Sequence, residues 1–472
     1  MKSENKNFLY NVIYQIFIYI IPILTTPYIS RVLGADNVGI YSYTYSIVYY
    51  FMLLSMLGIN NYASRKIARN ERNKKNLNKT FSSIYFLQLI LNVVCIISYL
   101  ILCFFIQYDN KIIMYIQLIY LISAGFDINW LYFGLEKFKI TISRNVIIKL
   151  LSMILVFILV KKSSDLWIYT LIMSGSTLIS QLYLWLFLNK EVSFTRVSLK
   201  EIFHNLKPCL ILFVPVISYG VYRVMDKTML GYFSTNFELG NFESAEKIIN
   251  IPISFITALG TVMLPHMSKM KEEEIINKNY ESFKLTYFII FPILIGLLII
   301  SDDFSLLFFG PEFTKAADLI RLLSISIIFT ATANVIRTGF LIPTKRDYIY
   351  VKSTIFGAII NLIININFIP RYGATGAGIG TIAAEFTVML YQIIATKNIV
   401  NYFEVFKIGI PFFIQSIIIG VFISFIGNMI NTTFTKIIVQ IIIAIIIYVM
   451  INHNYIIYDF FGRQKIRKDL TL

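Results

Sequence analysis

Charged side chains are scarce in this sequence of 472 residues, making up 14% of it against 57% for hydrophobic residues. A soluble domain carries about 25% charged residues, so there are too few here to cover a water-facing surface. The three cysteines form no Cys-x-x-Cys pair, and the three histidines lie far apart, so neither gives the spacing of a metal site. The phosphate-binding motif Gly-x-x-x-x-Gly-Lys-[Ser/Thr] is also missing, which argues against direct use of ATP.

Long apolar runs, in contrast, follow one another along the whole chain. Charge is absent from Thr80 to Tyr108, from Leu166 to Asn189 and from Ile437 to Tyr458. A membrane helix needs about 20 mostly apolar residues, and the pattern predicts about fourteen of them. Their predicted centres lie near Ile20, Tyr50, Val94, Ile122, Ile154, Ile179, Tyr219, Phe255, Leu294, Phe329, Ile360, Met389, Ile418 and Ile447. The first run is too long for a signal peptide and lacks a cleavage site, so we interpret it as the first span.

The net charge of +16 is concentrated in the links between these runs. With the amino terminus placed in the cytoplasm, most of the 42 lysines and arginines fall in inner links. The outer segments then hold only Arg31, Lys111, Lys161, Lys162, Lys315, Arg321, Arg371 and Lys436. This bias predicts a multi-pass protein of the cytoplasmic membrane with both termini in the cytoplasm. No link is long enough for a folded domain, which argues against an enzyme acting through an outer loop.

A glycine pattern occurs twice, six predicted spans apart. Leu33-Gly34 is followed by Val38-Gly39, and Leu230-Gly231 is followed by Leu239-Gly240. The even spacing predicts a parallel repeat of two six-helix bundles, at residues 1–200 and 201–402. Residues 403–472 would add two further helices and a basic cytoplasmic tail. The alternative is that glycine simply caps helices at these points.

Ionisable residues inside the predicted spans are the candidate functional residues, because a charge at mid-bilayer costs about 2.5–3.5 kcal/mol. Such charges persist when they are paired or when they face a wet cavity. A cavity with excess positive charge would attract an anion, and the fork of a guanidinium suits phosphate. The candidate substrate-binding residues are Lys149, Arg223, Lys227, Lys247 and Arg337, together with Arg31 at the end of the first span. The candidate charge network is Asp127, Asp226, Glu246 and Glu385.

Two sets of residues, a charged cluster and a row of tyrosines, also have a structural interpretation. Arg223, Asp226 and Lys227 share one helical face and precede Glu243 and Glu246, so the cluster could neutralise itself and pin two helices together. A second set, Tyr41, Tyr45 and Tyr49, recurs at four-residue steps and could either stack on sugars or serve packing.

Several segments resemble the bacterial polysaccharide repeat-unit flippases (Wzx-type, acting in O-antigen and capsule synthesis) of the multidrug/oligosaccharidyl-lipid/polysaccharide exporter superfamily. The segments are PYISRVLGADNVGIYSYTYSIVYYF, RVMDKTMLGYF, NFESAEKIINIP, TALGTVMLPHMSKM and DDFSLLFFGPEF, and the resemblance covers about Asn7 to Glu385. It implies an all-α fold of two six-helix bundles around a cavity. It also implies movement of an undecaprenyl-pyrophosphate-linked oligosaccharide between leaflets by alternating access.

Arg31 matches a basic position closing the first helix, and Arg223, Asp226 and Lys227 match a charged motif of the seventh. The two extra helices resemble those of lipid II flippases, where they form a groove for the lipid tail.

The sequence leaves three alternatives open: a multidrug cation antiporter, a lipid II flippase, and a membrane enzyme such as a repeat-unit polymerase. An antiporter would need an acidic cavity, whereas this one is predicted to be basic. We expect no cofactor, no metal centre and no nucleic-acid partner. Coupling to a Na⁺ or H⁺ gradient stays open, with Asp226 or Glu385 as the carboxylate. The expected partners are membrane lipid, a polysaccharide polymerase and glycosyltransferases.

Overall fold

A computed structural model describes residues 2–455. The side chains of residues 2–20, 138, 214, 215, 218, 219, 221–223, 262, 265 and 266 lie outside the described part. All regular elements between residues 2 and 455 are helical. The helices are α1 (Lys2–Met56), α2 (Ile59–Asn70), α3 (Lys74–Phe105), α4 (Lys111–Gly125), α5 (Asn129–Gly134), α6 (Phe138–Leu159), α7 (Leu166–Trp185), α8 (Leu188–Glu191), α9 (Leu199–Phe203), α10 (Leu206–Phe233), α11 (Asn236–Met267), α12 (Glu272–Phe308), α13 (Thr314–Ile336), α14 (Asp347–Tyr372), α15 (Ala374–Thr396), α16 (Tyr402–Gly427) and α17 (Thr433–Ile451).

The predicted number of spans is confirmed. Eleven stretches of the described chain are long and apolar enough to cross a bilayer. The helix α1 contains two spans, because it breaks at Gly34, whose φ of 77° lies in the region that only glycine enters without strain. The charged helices α10 and α11 are also long enough to cross a bilayer, which brings the number of spans among the described residues to fourteen. Each predicted centre lies inside one of these helices.

By their internal contacts, the helices form two units. The first comprises Met1–Glu243 with Asn365–Ala377. Its core includes Phe81, Trp130 and Tyr132, all fully buried. The Trp130 indole donates to Gln88 Oε1 at 2.9 Å, and the Gln88 amide donates to the carbonyl of Ala124 at 2.8 Å. The buried polar groups of Trp130 and Gln88 are therefore matched by partners, as burial away from water requires.

The second unit comprises Ser244–Ile364 with Gly378–Leu472. In it, α12 packs against α13, α16 and α17. The outer faces of α16 and α17 are exposed and apolar, with Ile418, Val421 and Ile445 as examples. Such faces are stable in lipid and would aggregate in water, which agrees with the predicted membrane location. The predicted domain boundaries near residues 200 and 402 stay a prediction.

Candidate functional site

An ion pair joins the charged helices α10 and α11. The Lys227 ammonium lies 2.6 Å from Glu243 Oε2, which also accepts a hydrogen bond of 2.9 Å from the Ser42 hydroxyl. Both side chains are largely buried, at 18% and 15% exposure. Lys227 is therefore neutralised by the next helix, as the helix-pinning interpretation of the cluster predicts. Its partner, Glu243, is one of the two glutamates that the sequence places in this cluster.

The neighbouring carboxylate points to a different helix. Asp226 is 7% exposed and accepts a hydrogen bond of 2.5 Å from Asn365 Nδ2 on α14. Asp226 and Lys227 thus project to different partners, although they are consecutive in sequence. The Asn365 amide therefore holds the buried Asp226 carboxylate, and the Glu243 carboxylate holds the ammonium of the next residue, Lys227.

Arg337 has a different environment, in the second unit. Here α13 passes into a π-helical turn, Arg337–Leu341. Its guanidinium donates to Asn334 Oδ1 at 3.0 Å and to the Tyr350 hydroxyl at 3.3 Å, and lies 5.0 Å from the Tyr350 ring centre. Asn334 is fixed in turn by its amide, which donates to Thr257 Oγ1 at 2.8 Å. Turns of this π type recur at functional sites.

Among the described residues, none forms an ion pair that neutralises the charge of Arg337. Both of its hydrogen-bond acceptors are uncharged, and no ion pair of Arg337 occurs in the described part of the chain. Its Nε is buried and finds no acceptor among the described residues. A guanidinium with an unused donor and a largely uncompensated charge is suited to an anion, above all to phosphate.

The remaining candidates lie on several different helices. Arg31 and Lys149 are exposed on α1 and α6. Glu246, Lys247 and Glu385 are half-buried in the second unit. The side chain of Arg223 lies outside the described residues.

Asp127 belongs to a network that includes a residue the sequence analysis missed. Asp127 Oδ1 accepts hydrogen bonds from the backbone and the side-chain amide of Asn129, at 2.9 and 2.7 Å. Asn129 Oδ1 accepts one of 3.0 Å from Arg144. Arg144 is not among the predicted site residues, yet it lies in α6 and is only 3% exposed. Its position beside Asn145, in an otherwise apolar run, was the signal that could have found it.

The tyrosines of the second span pack against their neighbours. Tyr41 and Tyr45 stack with ring centres 6.0 Å apart, and the hydroxyls of Tyr41 and Tyr120 lie 2.7 Å apart. Tyr169 meets Tyr41 edge-on at 5.0 Å. These contacts confirm the packing interpretation.

An apolar groove lies between α12, α16 and α17, within the second unit. Its volume is about 410 Å³. Pro292, Gly296 and Gly420 lie along it, and a Cβ added to Gly296 would meet no atom within 4 Å. At one end, Tyr448 donates a hydrogen bond of 2.9 Å to the carbonyl of Phe288. Such a groove can hold a hydrocarbon chain.

The sequence model described as "Polysaccharide biosynthesis protein" matches residues 5–271, which is more than half of the chain. The chain belongs to this family. A second model, "Lipid II flippase MurJ", matches residues 239–452. Two relatives each carry the name "Putative O-antigen transporter". The one from Shigella dysenteriae is 25% identical over 80% of this chain and 96% of its own length, and the one from Escherichia coli K12 is 22% identical over 84% and 97%.

The fold is shared with solved transporters of the superfamily. A structure of "Lipid II flippase MurJ, inward closed conformation" aligns with a TM-score of 0.78 at 17% identity, over 96% of this chain and 99% of that one. An inward-facing multidrug transporter of the superfamily aligns with a TM-score of 0.54 at 14% identity, over 83% and 98%. The predicted fold class is confirmed.

Proposed function

We propose that this protein is a flippase of polysaccharide biosynthesis. It moves an oligosaccharide repeat unit, linked through pyrophosphate to a polyprenyl lipid such as undecaprenol, from the inner to the outer leaflet. The bundles alternate between inward-open and outward-open states, and no covalent bond is made or broken. The family membership and the relatives named as O-antigen transporters support this proposal.

The choice of substrate rests on the surroundings of Arg337. Its guanidinium has only neutral neighbours in the described part of the chain, and its Nε is unused. A pyrophosphate would supply the missing acceptor and the missing charge. A cationic drug would be repelled at the same place, which argues against a multidrug antiporter.

The apolar groove is suited to the other end of the same substrate. It is lined by α12 and by the two additional helices α16 and α17. A polyprenyl tail lying there would stay in a hydrocarbon environment while the polar head group crosses.

The driving force in this proposal is a cation gradient acting on Asp226. A carboxylate in a membrane helix marks ion and proton pathways in many transporters. The hydrogen bond from Asn365 holds the Asp226 carboxylate in place, so that protonation or Na⁺ binding would change the link between α10 and α14.

A second candidate is the lipid II flippase. It is favoured by the match of residues 239–452 to that family and by the shared fold. Both substrates carry pyrophosphate on a polyprenyl lipid, so Arg337 and the groove serve either one. Rescue of cells depleted of their lipid II flippase would select this alternative.

The proposal is tested by polysaccharide export in the host strain lacking its chromosomal copy of this gene. We expect the wild-type chain to restore export and Arg337→Gln to lower it at least tenfold, about the loss of one charge-assisted hydrogen bond. Arg321→Gln is the control, since Arg321 is ion-paired with Asp302 and Asp318 at the surface. Equal export by both variants, at equal levels in the membrane, would remove the role of Arg337.

A further inference from the structure

A polar pocket in the first unit is lined by none of the candidate site residues discussed above. It has a volume of about 380 Å³, and α2, the first turns of α3 and the short helix α9 surround it. Its lining residues are Lys66, Asn70, Asn76, Lys79, Thr80, Ser83, Lys200, Glu201 and His204. The lysines all belong to links predicted to be cytoplasmic.

The pocket carries three lysines and a histidine against a single carboxylate. That carboxylate, Glu201, is already engaged, because it is ion-paired with Lys79 and accepts a hydrogen bond of 2.9 Å from the backbone amide of Ser198. The hydrogen bond from Lys79 also lowers the pKa of Glu201. Glu201 is therefore occupied by Lys79 and by the cap of α9, which leaves Lys66 and Lys200 without compensation from it.

Lys66 is held in position by neutral groups only. Its ammonium donates to Asn205 Oδ1 at 2.7 Å and to the Tyr62 hydroxyl at 2.9 Å. Asn205 is fully buried and anchored, because its amide donates to the carbonyl of Glu201 at 3.0 Å. An ammonium has three N–H donors, so these two acceptors leave one for a ligand. No ion pair of Lys66 occurs among the described residues, and the charge is thus positioned but not neutralised.

The size and surroundings of the pocket restrict its ligand. A volume of this size suits a head group or a small anion and excludes a folded partner. On α9, Leu199 and Phe203 are 69% and 48% exposed, beside Lys200 and His204. Apolar side chains next to cations are typical of a segment at the membrane surface, where anionic head groups gather.

We infer that this pocket binds a phosphate group at the cytoplasmic surface, with Lys66 as its fixed cation and Lys200 as a mobile one. The phosphate comes either from the head group of an anionic lipid or from a soluble phosphate compound. This site is separate from the proposed transport site, since it uses neither Arg337 nor Asp226. Its test therefore does not depend on which substrate is transported.

Thermal unfolding of the full chain in nanodiscs distinguishes the two sources. One arm adds inorganic pyrophosphate to discs of phosphatidylcholine, and the other replaces part of the phosphatidylcholine by phosphatidylglycerol. A rise in the melting temperature with pyrophosphate identifies a soluble phosphate, and a rise with phosphatidylglycerol alone identifies a lipid head group. Either result supports the site if Lys66→Gln weakens the apparent affinity about tenfold or more, as the loss of a charge-assisted hydrogen bond predicts.

Two further variants make the test decisive. Lys200→Gln covers the case in which Lys66→Gln disturbs Tyr62 and Asn205, because the Lys200 side chain is exposed and makes no described hydrogen bond. Lys75→Gln is the matched control, since Lys75 is exposed on α3 and does not line the pocket. The inference is overturned if neither ligand stabilises the wild type. It is equally overturned if the Lys66 and Lys200 variants respond as the Lys75 variant does.

Discussion

Two half-buried cations of this protein, Lys227 and Arg337, have opposite surroundings. Lys227 touches a carboxylate, and Arg337 touches only neutral oxygens in the described part of the chain. In a low-dielectric interior, a paired charge is largely cancelled, whereas an unpaired one exerts its field on whatever enters. Lys227 therefore fits a role in holding α10 to α11, and Arg337 fits a role in binding an anion.

Removing Glu243 separates the structural role of this ion pair from a role in transport. We expect Glu243→Gln to destabilise the protein by about 3–5 kcal/mol, because Lys227 would lose its ion pair with this carboxylate. Combining Lys227→Met with Glu243→Met should restore most of that stability. Thermal unfolding in nanodiscs measures both effects.

The effect of the double variant on transport is measured as polysaccharide export at equal protein levels. If the pair only pins the helices, the double variant exports like the wild type. A double variant that is stable but inactive would show that the charges themselves take part in transport.

Asp226→Asn tests the coupling proposal. The substitution keeps the size of the side chain and removes its ability to bind a proton or Na⁺ as a carboxylate does. We expect an imposed Na⁺ or pH gradient to stop accelerating translocation in proteoliposomes. Asp302→Asn, which changes an exposed carboxylate paired with Arg321, should keep the response. An unchanged response in the Asp226 variant would exclude this carboxylate as the coupling group.

At the scale of residues, the sequence indicates which side chains are candidates for function. It does not indicate which groups those side chains contact. A charge inside an apolar run is visible, so Asp226, Lys227 and Arg337 were found. Their partners depend on how helices meet, and neither the 2.5 Å contact to Asn365 nor the neutral setting of Arg337 follows from spacing. Arg144 was missed because it was counted with the basic residues of the links, although it is buried in α6.

At the scale of elements, the two glycine turns of the repeat contact each other. A Cβ on Gly39 would lie 1.8 Å from the carbonyl oxygen of Asn236, and a Cβ on Gly240 would lie 1.9 Å from that of Ala35. The contact is reciprocal, since each glycine meets the residue four positions before the other. A two-fold repeat would produce this arrangement, and both turns lie at the predicted outer end of the bundle.

Gly39→Ala should therefore interfere with closing of the outer end. The added methyl group cannot fit against the Asn236 carbonyl, and overpacking of this kind costs about 1–3 kcal/mol. We expect export to fall about tenfold, measured against Gly175→Ala on α7, where a Cβ would meet no atom within 4 Å. Normal export by the Gly39 variant would mean that the two turns do not need this close contact.

The long helices were predictable, but the short ones were not. Twenty apolar residues give a strong signal, and every predicted span lies in a helix. Helices α2, α5, α8 and α9 are short, and the π-helical turn at Arg337 depends on packing around α13. Two of these short helices, α2 and α9, line the phosphate pocket, so that pocket could not be found from the sequence.

At the scale of the whole molecule, the proposed function assigns the two ends of a polyprenyl-pyrophosphate lipid to separate places. In this proposal Arg337 binds the charged end, and the groove along α12, α16 and α17 holds the hydrocarbon end. The two additional helices, α16 and α17, were expected from the family resemblance. The shape of their groove depends on helix packing, which hydropathy does not encode.

Filling the groove should impair transport of the natural lipid. Gly296→Phe places a ring where a Cβ meets no atom within 4 Å, so the variant should fold while losing groove volume. We expect translocation of a long polyprenyl substrate to fall several-fold and that of a short-chain analogue to change little. An equal effect on both chain lengths would argue that the tail does not lie there.

The central claim is tested most directly by translocation in proteoliposomes that contain only the purified chain. The substrate is undecaprenyl pyrophosphate carrying a fluorescent oligosaccharide, initially shielded in the inner leaflet, and the readout is its accessibility to a membrane-impermeant quencher. We predict rapid exposure with the wild-type chain, little with Arg337→Gln and none in empty liposomes. Exposure no faster than in empty liposomes, with a functional chain confirmed by efflux of a cationic dye, would contradict the account.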